Sequence, residues 1–225
     1  MTSLAAIPAL SALPPTALNS VFRDSRGARY GAGTLIRPAG QPARAVVLLL
    51  TGTVVAAYTG PSGAQVWPAR WEGPAIVDKP SILGGGVPTT DLVATTACLV
   101  RLLPPARFLR LLDEEQSVRQ RVLGRLSQDV LAGRHRMALS ATQPAVSQLA
   151  AWVKARGGAA QATVWRGSQE ELGRALGLSR VTVNRALRRL VQAGALHLTP
   201  RGIMIVDHRL LDTFLDHHEG TPPVQ

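Results

Sequence analysis

From residue 21 to about 104 the apolar residues fall into short runs bounded by Gly and Pro: "GTLIRPAG", "AVVLLLTGTVVAAYTGPSG", "AQVWPARWEGPAIV" and "DLVATTACLVRLL". Short runs of this kind predict β-strands, and turns at roughly 8–12-residue intervals are those of a sandwich or barrel. "TGPSG" reads as a hairpin tip. Ahead of the strands, residues 1–20 form a Pro- and Ala-containing lead-in with room for one short helix. The period changes after Pro104-Pro105. Residues 106–141 contain no proline, and "ARFLRLLDEEQSVRQRVLGRLSQDVLAGRHRMAL" carries helical spacing. It predicts a short helix ending near Leu112 and a longer one from about Glu115 to Ala138. On the longer helix Val118, Val122, Leu126, Val130 and Leu131 draw one apolar stripe. A stripe beside a β domain has to be buried. The same helix of a second copy is the expected cover, which makes Val118, Val122, Leu126 and Val130 dimer-helix residues. Packing on the chain's own domain is the alternative.

Pro144 restarts the chain. "PAVSQLAAWVKARG" reads as a helix with Val146, Leu149 and Val153 inward, closed by Gly157-Gly158, and "AQATVW" as a short β-like stretch. The signals then become dense. Ser168 followed by Glu171 is a capping box. The helix it starts is expected to bury Leu172, Ala175 and Leu176. Gly177 can end that helix in a left-handed conformation, Leu178 fills the turn, and Ser179 caps a second helix. Three residues between two short helices is the length of a helix-turn-helix. The second helix, expected over 180–192, buries Val183, Ala186, Leu187 and Leu190. Its other face carries Arg180, Val181, Asn184, Arg185 and Arg188, and Gly194 ends it. "ALHLTPRGIMIV" alternates as a small hairpin turning at Thr199 to Gly202. Two helices and a hairpin make a winged helix-turn-helix.

Charge gives this constellation a partner. Over 166–201 seven arginines stand against two glutamates, a net of +5 in 36 residues. The whole chain has a formal net charge of +11, which favours a polyanion, with nucleic acid first and an anionic membrane second. Arginines at the start of a second helix can reach guanine O6 and N7 in the major groove, while others hold phosphates. The DNA-contacting set expected on this basis is Ser168, Gln169, Ser179, Arg180, Val181, Thr182, Asn184, Arg185, Arg188 and Arg201. With 46% hydrophobic and 17% charged residues the chain can bury a core, so it is not of the disordered type. Cys98 is the only cysteine, which excludes an intramolecular disulfide or a multi-cysteine cluster and fits the cytoplasm. The N-terminus lacks the basic start of a signal peptide, and the longest apolar run is too short to span a bilayer. No nucleophile–base–acid set or Walker pattern points to an enzyme.

"SQEELGRALGLSRVTVNRALRRLVQAGAL" resembles the signature of the cyclic-AMP receptor protein/fumarate-nitrate regulator (Crp/Fnr) superfamily of bacterial transcription factors. That signature has glutamate where this chain has Val181. "GTLIRPAGQPARAVVLLLTGTVVAAYTGPSGAQV" resembles the first half of the family's β-roll, with Gly40 and Gly52 at its turn glycines, and "ATTACLVRLLPPARFLRLL" resembles its closing strands and short helix. The resemblance implies an α+β chain with a β-roll sensor domain (a double-stranded β-helix like that of cyclic-nucleotide-binding proteins) over 1–112. A long dimerisation helix over 113–141 and a winged helix-turn-helix over 142–225 would follow. It implies a homodimer on a two-fold symmetric duplex site, and RNA polymerase as a further partner if the protein activates. Nucleotide-binding members carry a cassette whose glutamate binds the ribose hydroxyl and whose arginine neutralises the cyclic phosphate. Here "GPAIVDKPSILGGGVPTTDLVATT" occupies that region. Asp78 stands for the glutamate, Pro88 falls at the arginine and Thr89 at the Ser/Thr. A buried phosphate without its arginine loses a charge-assisted partner, so cyclic AMP is not expected to bind well. Arg44 or Arg70 would have to supply the cation, although their spacing does not place them there.

Other sensor chemistries have little support. The N-terminal part holds no cysteine set for an iron–sulfur cluster and no histidine for haem, so no cofactor is expected. His217 and His218 with Asp212 and Asp216 match no ligand spacing and read as a solvated tail rather than a metal site. The alternative to a cyclic-AMP-independent regulator is one gated by cyclic AMP or another small metabolite in the β-roll. A winged helix used only as a protein-interaction module is the reading from another class.

Overall fold

The computed structural model describes residues 3–157, 163–200 and 202–215. Arg201, Gly158, Asp216, His217 and His218 lie outside them. The described chain forms two compact units that divide between Gly133 and Arg134. This differs from the three expected segments with a break near residue 142. The long helix expected over 113–141 spans this division.

The first unit opens with a 3₁₀ turn at Leu4–Ala6 and α1 (Pro15–Asp24), then the strands β1 (Arg26–Tyr30), β2 (Leu35–Arg37), β3 (Val46–Thr51), β4 (Thr53–Thr59), β5 (Gln65–Glu72) and β6 (Ala75–Val77). A five-residue helix α2 (Lys79–Leu83) interrupts them, followed by β7 (Asp91–Ala94), β8 (Cys98–Leu103), α3 (Pro105–Glu114) and α4 (Gln116–Thr142). Two four-stranded sheets, ordered β1-β8-β3-β6 and β2-β7-β4-β5, are antiparallel throughout.

The run "VVLLL" explains where the core sits. Side chains alternate across a strand. Val47 and Leu49 on β3 pack with Val54, Leu92 and Val100 in one cluster. Val46, Leu48 and Leu50 face the other way, against Ile7, Leu10, Phe108 and Leu111. Both faces of β3 are covered, so the strand reads as unbroken apolar sequence rather than as alternation. Ile7 and Leu10 are fully buried. The lead-in is therefore part of the core, which its Pro- and Ala-rich composition did not suggest. Gly52, between β3 and β4, has φ +96°, and a Cβ there would lie 2.4 Å from the Ala97 carbonyl oxygen, so only glycine fits. The Cys98 side chain is buried and donates to the Thr53 carbonyl at 3.3 Å, as befits a small core residue.

The expected stripe on α4 divides. Val118 and Val122 are fully buried in the first unit's own core, with Leu126 partly packed against it. In the single chain the first turns of α4 thus lie on the unit's own helices and strands, the alternative cover for this part of the stripe. The large apolar residues left exposed on α4 are Leu123, Val130, Leu131 and Met137. Leu123, Val130 and Met137 repeat every seven residues, a line the four-residue spacing had hidden.

The second unit holds α5 (Ala145–Arg156), β9 (Thr163–Trp165), α6 (Gln169–Leu176), α7 (Arg180–Gln192), β10 (Leu196–Thr199), β11 (Gly202–Ile205) and α8 (His208–Thr213). Its core gathers Leu149, Val153, Leu172, Val183, Leu187 and Leu190 with Ile203 and Ile205 of the hairpin. Trp152 and Trp165 pack edge to face, with ring centroids 5.3 Å apart. β9 adds a third strand to the hairpin, in the order β10-β11-β9. Among the described residues no helix is long and apolar enough to cross a membrane.

Candidate nucleic-acid interface

The two helices α6 and α7 are set by local chemistry. The Ser168 hydroxyl accepts from the Glu171 amide at 3.1 Å, and the Glu171 carboxylate accepts from the Ser168 amide at 2.7 Å. The capping box is complete. Gly177 closes α6 with φ +71°. The Leu178 amide then donates to the Gly173 carbonyl at 2.9 Å. Ser179 caps α7 by accepting from the Thr182 amide at 3.1 Å. Gly173 makes this turn possible: a Cβ there would stand 2.6 Å from the Leu178 carbonyl oxygen. The apolar periodicity passed over Gly173, because a glycine inside a helix contributes nothing to a stripe.

α7 divides cleanly into two faces. Val183, Ala186, Leu187 and Leu190 are buried. Arg180, Val181, Arg185 and Arg188 are exposed, Val181 at 68%. Arg180, Arg185 and Arg188 make no ion pair among the described residues, so their guanidinium forks remain open to a ligand. Asn184 donates to the Gln169 side-chain oxygen at 2.8 Å, joining α7 to the first residue of α6. The Ser179 and Thr182 hydroxyls lie 2.8 Å apart. Four of the expected polar contacts are therefore held in place, in two pairs, before any partner arrives. Arg189 leaves this face and stacks over the Phe214 ring at 5.9 Å. In the hairpin β10 and β11 pair from Leu196↔Ile205 to Thr199↔Gly202. Arg201, the expected wing contact, lies outside the described residues.

The residues of the expected effector region meet in the first unit. Asp78, Ser81, Pro88 and Thr89 line one cavity of about 320 Å³. Asp78 adopts a left-handed backbone with φ +51° at the start of α2. Its carboxylate is already engaged: it accepts from Arg37 Nη2 at 2.5 Å and from the Ser81 hydroxyl at 2.5 Å. Pro88 is buried and its carbonyl accepts from the Gly40 amide at 2.9 Å, while Thr89 is exposed. Arg44 does not line this cavity. Arg70 pairs with Glu72 and lines a different cavity. The cation that reaches Asp78 is Arg37, 41 residues away on β2, which the linear spacing gave no reason to consider.

Residues 28–115 match the model of the cyclic nucleotide-binding domain, and residues 146–214 match the model of the Crp-like helix-turn-helix domain. Among solved structures the chain resembles FixK2 from Bradyrhizobium japonicum at 20% identity and TM-score 0.70, covering 87% of this chain and 99% of that one. A CooA mutant from Carboxydothermus hydrogenoformans is similar at 16% identity and TM-score 0.74, covering 88% and 90%. The c-di-GMP responsive global regulator CLP of Xanthomonas campestris is similar at 18% identity and TM-score 0.67, covering 86% and 100%. At these identities the likeness is one of fold. No curated protein matches the chain in sequence. With a cyclic nucleotide-binding fold ahead of a long helix and a Crp-like helix-turn-helix behind it, the chain belongs to the Crp/Fnr family of DNA-binding transcription regulators.

Proposed function

We propose that the protein acts as a homodimer that places α7 of each copy in a major groove of a two-fold symmetric site, and that it does so without cyclic AMP. The observation that carries the DNA reading is the open face of α7. Arg180 and Arg185 are exposed and, among the described residues, without ion pairs, on a helix whose opposite side is locked into the core. Each has the fork that pairs with guanine O6 and N7. Arg188, one turn further along, meets phosphate. Ser168, Gln169, Ser179 and Thr182 sit at the N-termini of α6 and α7, where backbone N–H groups favour phosphate oxygens. The winged hairpin adds Arg201. The protein works in the cytoplasm, with RNA polymerase as a partner where it activates.

Cyclic-AMP independence rests on the cassette. Asp78 is neutralised by Arg37, and a buried proline stands where the phosphate would need a guanidinium. A cyclic phosphate there would lose its charge-assisted bonds. Dimer formation rests on the heptad line Leu123, Val130 and Met137, exposed in the single chain. The second reading, a regulator gated by cyclic AMP or another small metabolite in the β-roll, is favoured by the cavity that Asp78 and Thr89 still line.

Binding of arginine variants to a selected duplex tests the assignment. Arg185→Ala is expected to cost about 1–3 kcal/mol and to relax selection at one base pair. Arg188→Ala is expected to weaken all sequences alike and to lower the salt slope by about 1. A sequence-specific loss in Arg188→Ala would contradict these roles.

A further inference from the structure

A second cavity, of about 520 Å³, lies within the first unit where residues 7–11, the turn between β5 and β6, and the early turns of α4 meet. It shares no lining residue with the cavity at Asp78 and Thr89. Asp78 and Lys79 are neighbours at the start of α2, yet Asp78 lines one cavity and Lys79 the other. Four cations line the larger one: Arg70, Lys79, Arg121 and Arg125. Its only carboxylate is Glu72, and that is paired with Arg70. Ile76 and Val122 are buried beside them, with the Trp71 indole at intermediate exposure.

Lys79 is the unusual member. It is 5% exposed, and its ammonium donates to the Ile76 carbonyl at 3.2 Å. An ammonium has three N–H donors, and a buried charge is costly unless it is paired. Burial accordingly holds its pKa below the usual lysine range; the Asp129 and Asp78 carboxylates oppose that and Arg125 reinforces it. Arg121 donates to the Pro8 carbonyl at 2.8 Å and to the Ser11 hydroxyl at 2.6 Å, fastening the lead-in to α4. Arg125 pairs with Asp129 along the helix at 2.9 Å. A space of ligand size, cationic on one side and apolar with an indole on the other, matches an anion attached to a flat or aliphatic body.

We propose that this cavity is a binding site for a small organic anion, a phosphate or carboxylate with an aromatic or aliphatic body, separate from the cyclic-nucleotide cassette. Arginine forks donate to the oxygens of either anion, and the body lies against Trp71, Ile76 and Val122. The ligand engages Arg121 and Arg125 on α4 at the point where the lead-in is fastened to that helix. The site does not depend on how the second unit reads DNA, so it is tested on the DNA-free protein.

Calorimetric titration of the full chain with phenyl phosphate and with benzoate tests this. Saturable binding of one or both, at one site per chain, is expected, and which of the two binds tells phosphate from carboxylate. Inorganic phosphate and benzyl alcohol, each lacking half of the recognition, are expected to bind at least about tenfold more weakly. Arg125→Gln and Lys79→Met should each weaken the aromatic anion by about tenfold or more, while Asp78→Asn, in the other cavity, should not. Lys79→Met should also raise the melting temperature of the ligand-free protein, because it removes a buried charge; a lysine serving structure alone would lower it. Failure of both aromatic anions to saturate, equal binding of inorganic phosphate, insensitivity to both cavity variants, or loss of binding in Arg185→Ala would each overturn the proposal.

Discussion

Val181 is the residue at which α7 departs from the family signature. That signature carries glutamate there, which accepts from cytosine N4. Valine offers only methyl groups, and at 68% exposure they point away from the core. The half-site selected by the protein should therefore keep its guanines and lose its demand for cytosine at the pair facing Val181. Val181→Glu should restore that demand in a selection from random duplexes, and a wild-type site that already requires cytosine would contradict the assignment. The same residue scale marks where sequence reading stops. Val181 was legible because one side chain, compared with a motif, is enough. The occupation of Asp78 by Arg37 was not, because they stand 41 positions apart, Arg37 on β2 of one sheet and Asp78 just after β6 of the other. Lys79 could not be singled out from the sequence, because nothing local reveals that its ammonium is buried.

At the scale of elements, the helix-turn-helix was almost fully written in the chain. Its caps act over three residues, and its buried set at Val183, Ala186, Leu187 and Leu190 follows the helical repeat. Gly173 is the exception. Its importance comes from the approach of Leu178 five residues later, not from any pattern. Gly173→Ala should force the turn apart and cost about 1–3 kcal/mol of the second unit's stability, measured by urea unfolding. An unchanged unfolding midpoint would show that the turn yields without strain. The long helix was legible in extent but not in allegiance. Spacings of four grouped Val118 and Val122 with Val130, yet the first two belong to the unit's own core and Val130 is exposed. Periodicity locates an apolar stripe; it does not say which of two neighbours covers it.

Across the whole molecule, the order of a β unit, a long helix and a winged helix-turn-helix was visible from changes in texture at Pro105 and Pro144. Strand pairing was not, since β1 lies beside β8 and β2 beside β7. Nor was the burial of Ile7 and Leu10, which becomes evident only when β3 is covered on both faces. The heptad line on α4 carries the expectation of a dimer. Val130→Glu places a charge at its centre, on a side chain the single chain leaves exposed, so folding should survive while sedimentation shifts from dimer to monomer. A variant that remains dimeric would move the interface elsewhere.

The most direct test of the central claim is fluorescence anisotropy of the ligand-free protein on a duplex selected from a random library, repeated with cyclic AMP. The account predicts sequence-specific, salt-dependent binding to a two-fold site with half-sites about one helical turn apart, at the same affinity with and without the nucleotide. Binding without sequence preference, or a large gain in affinity on adding cyclic AMP, would contradict it.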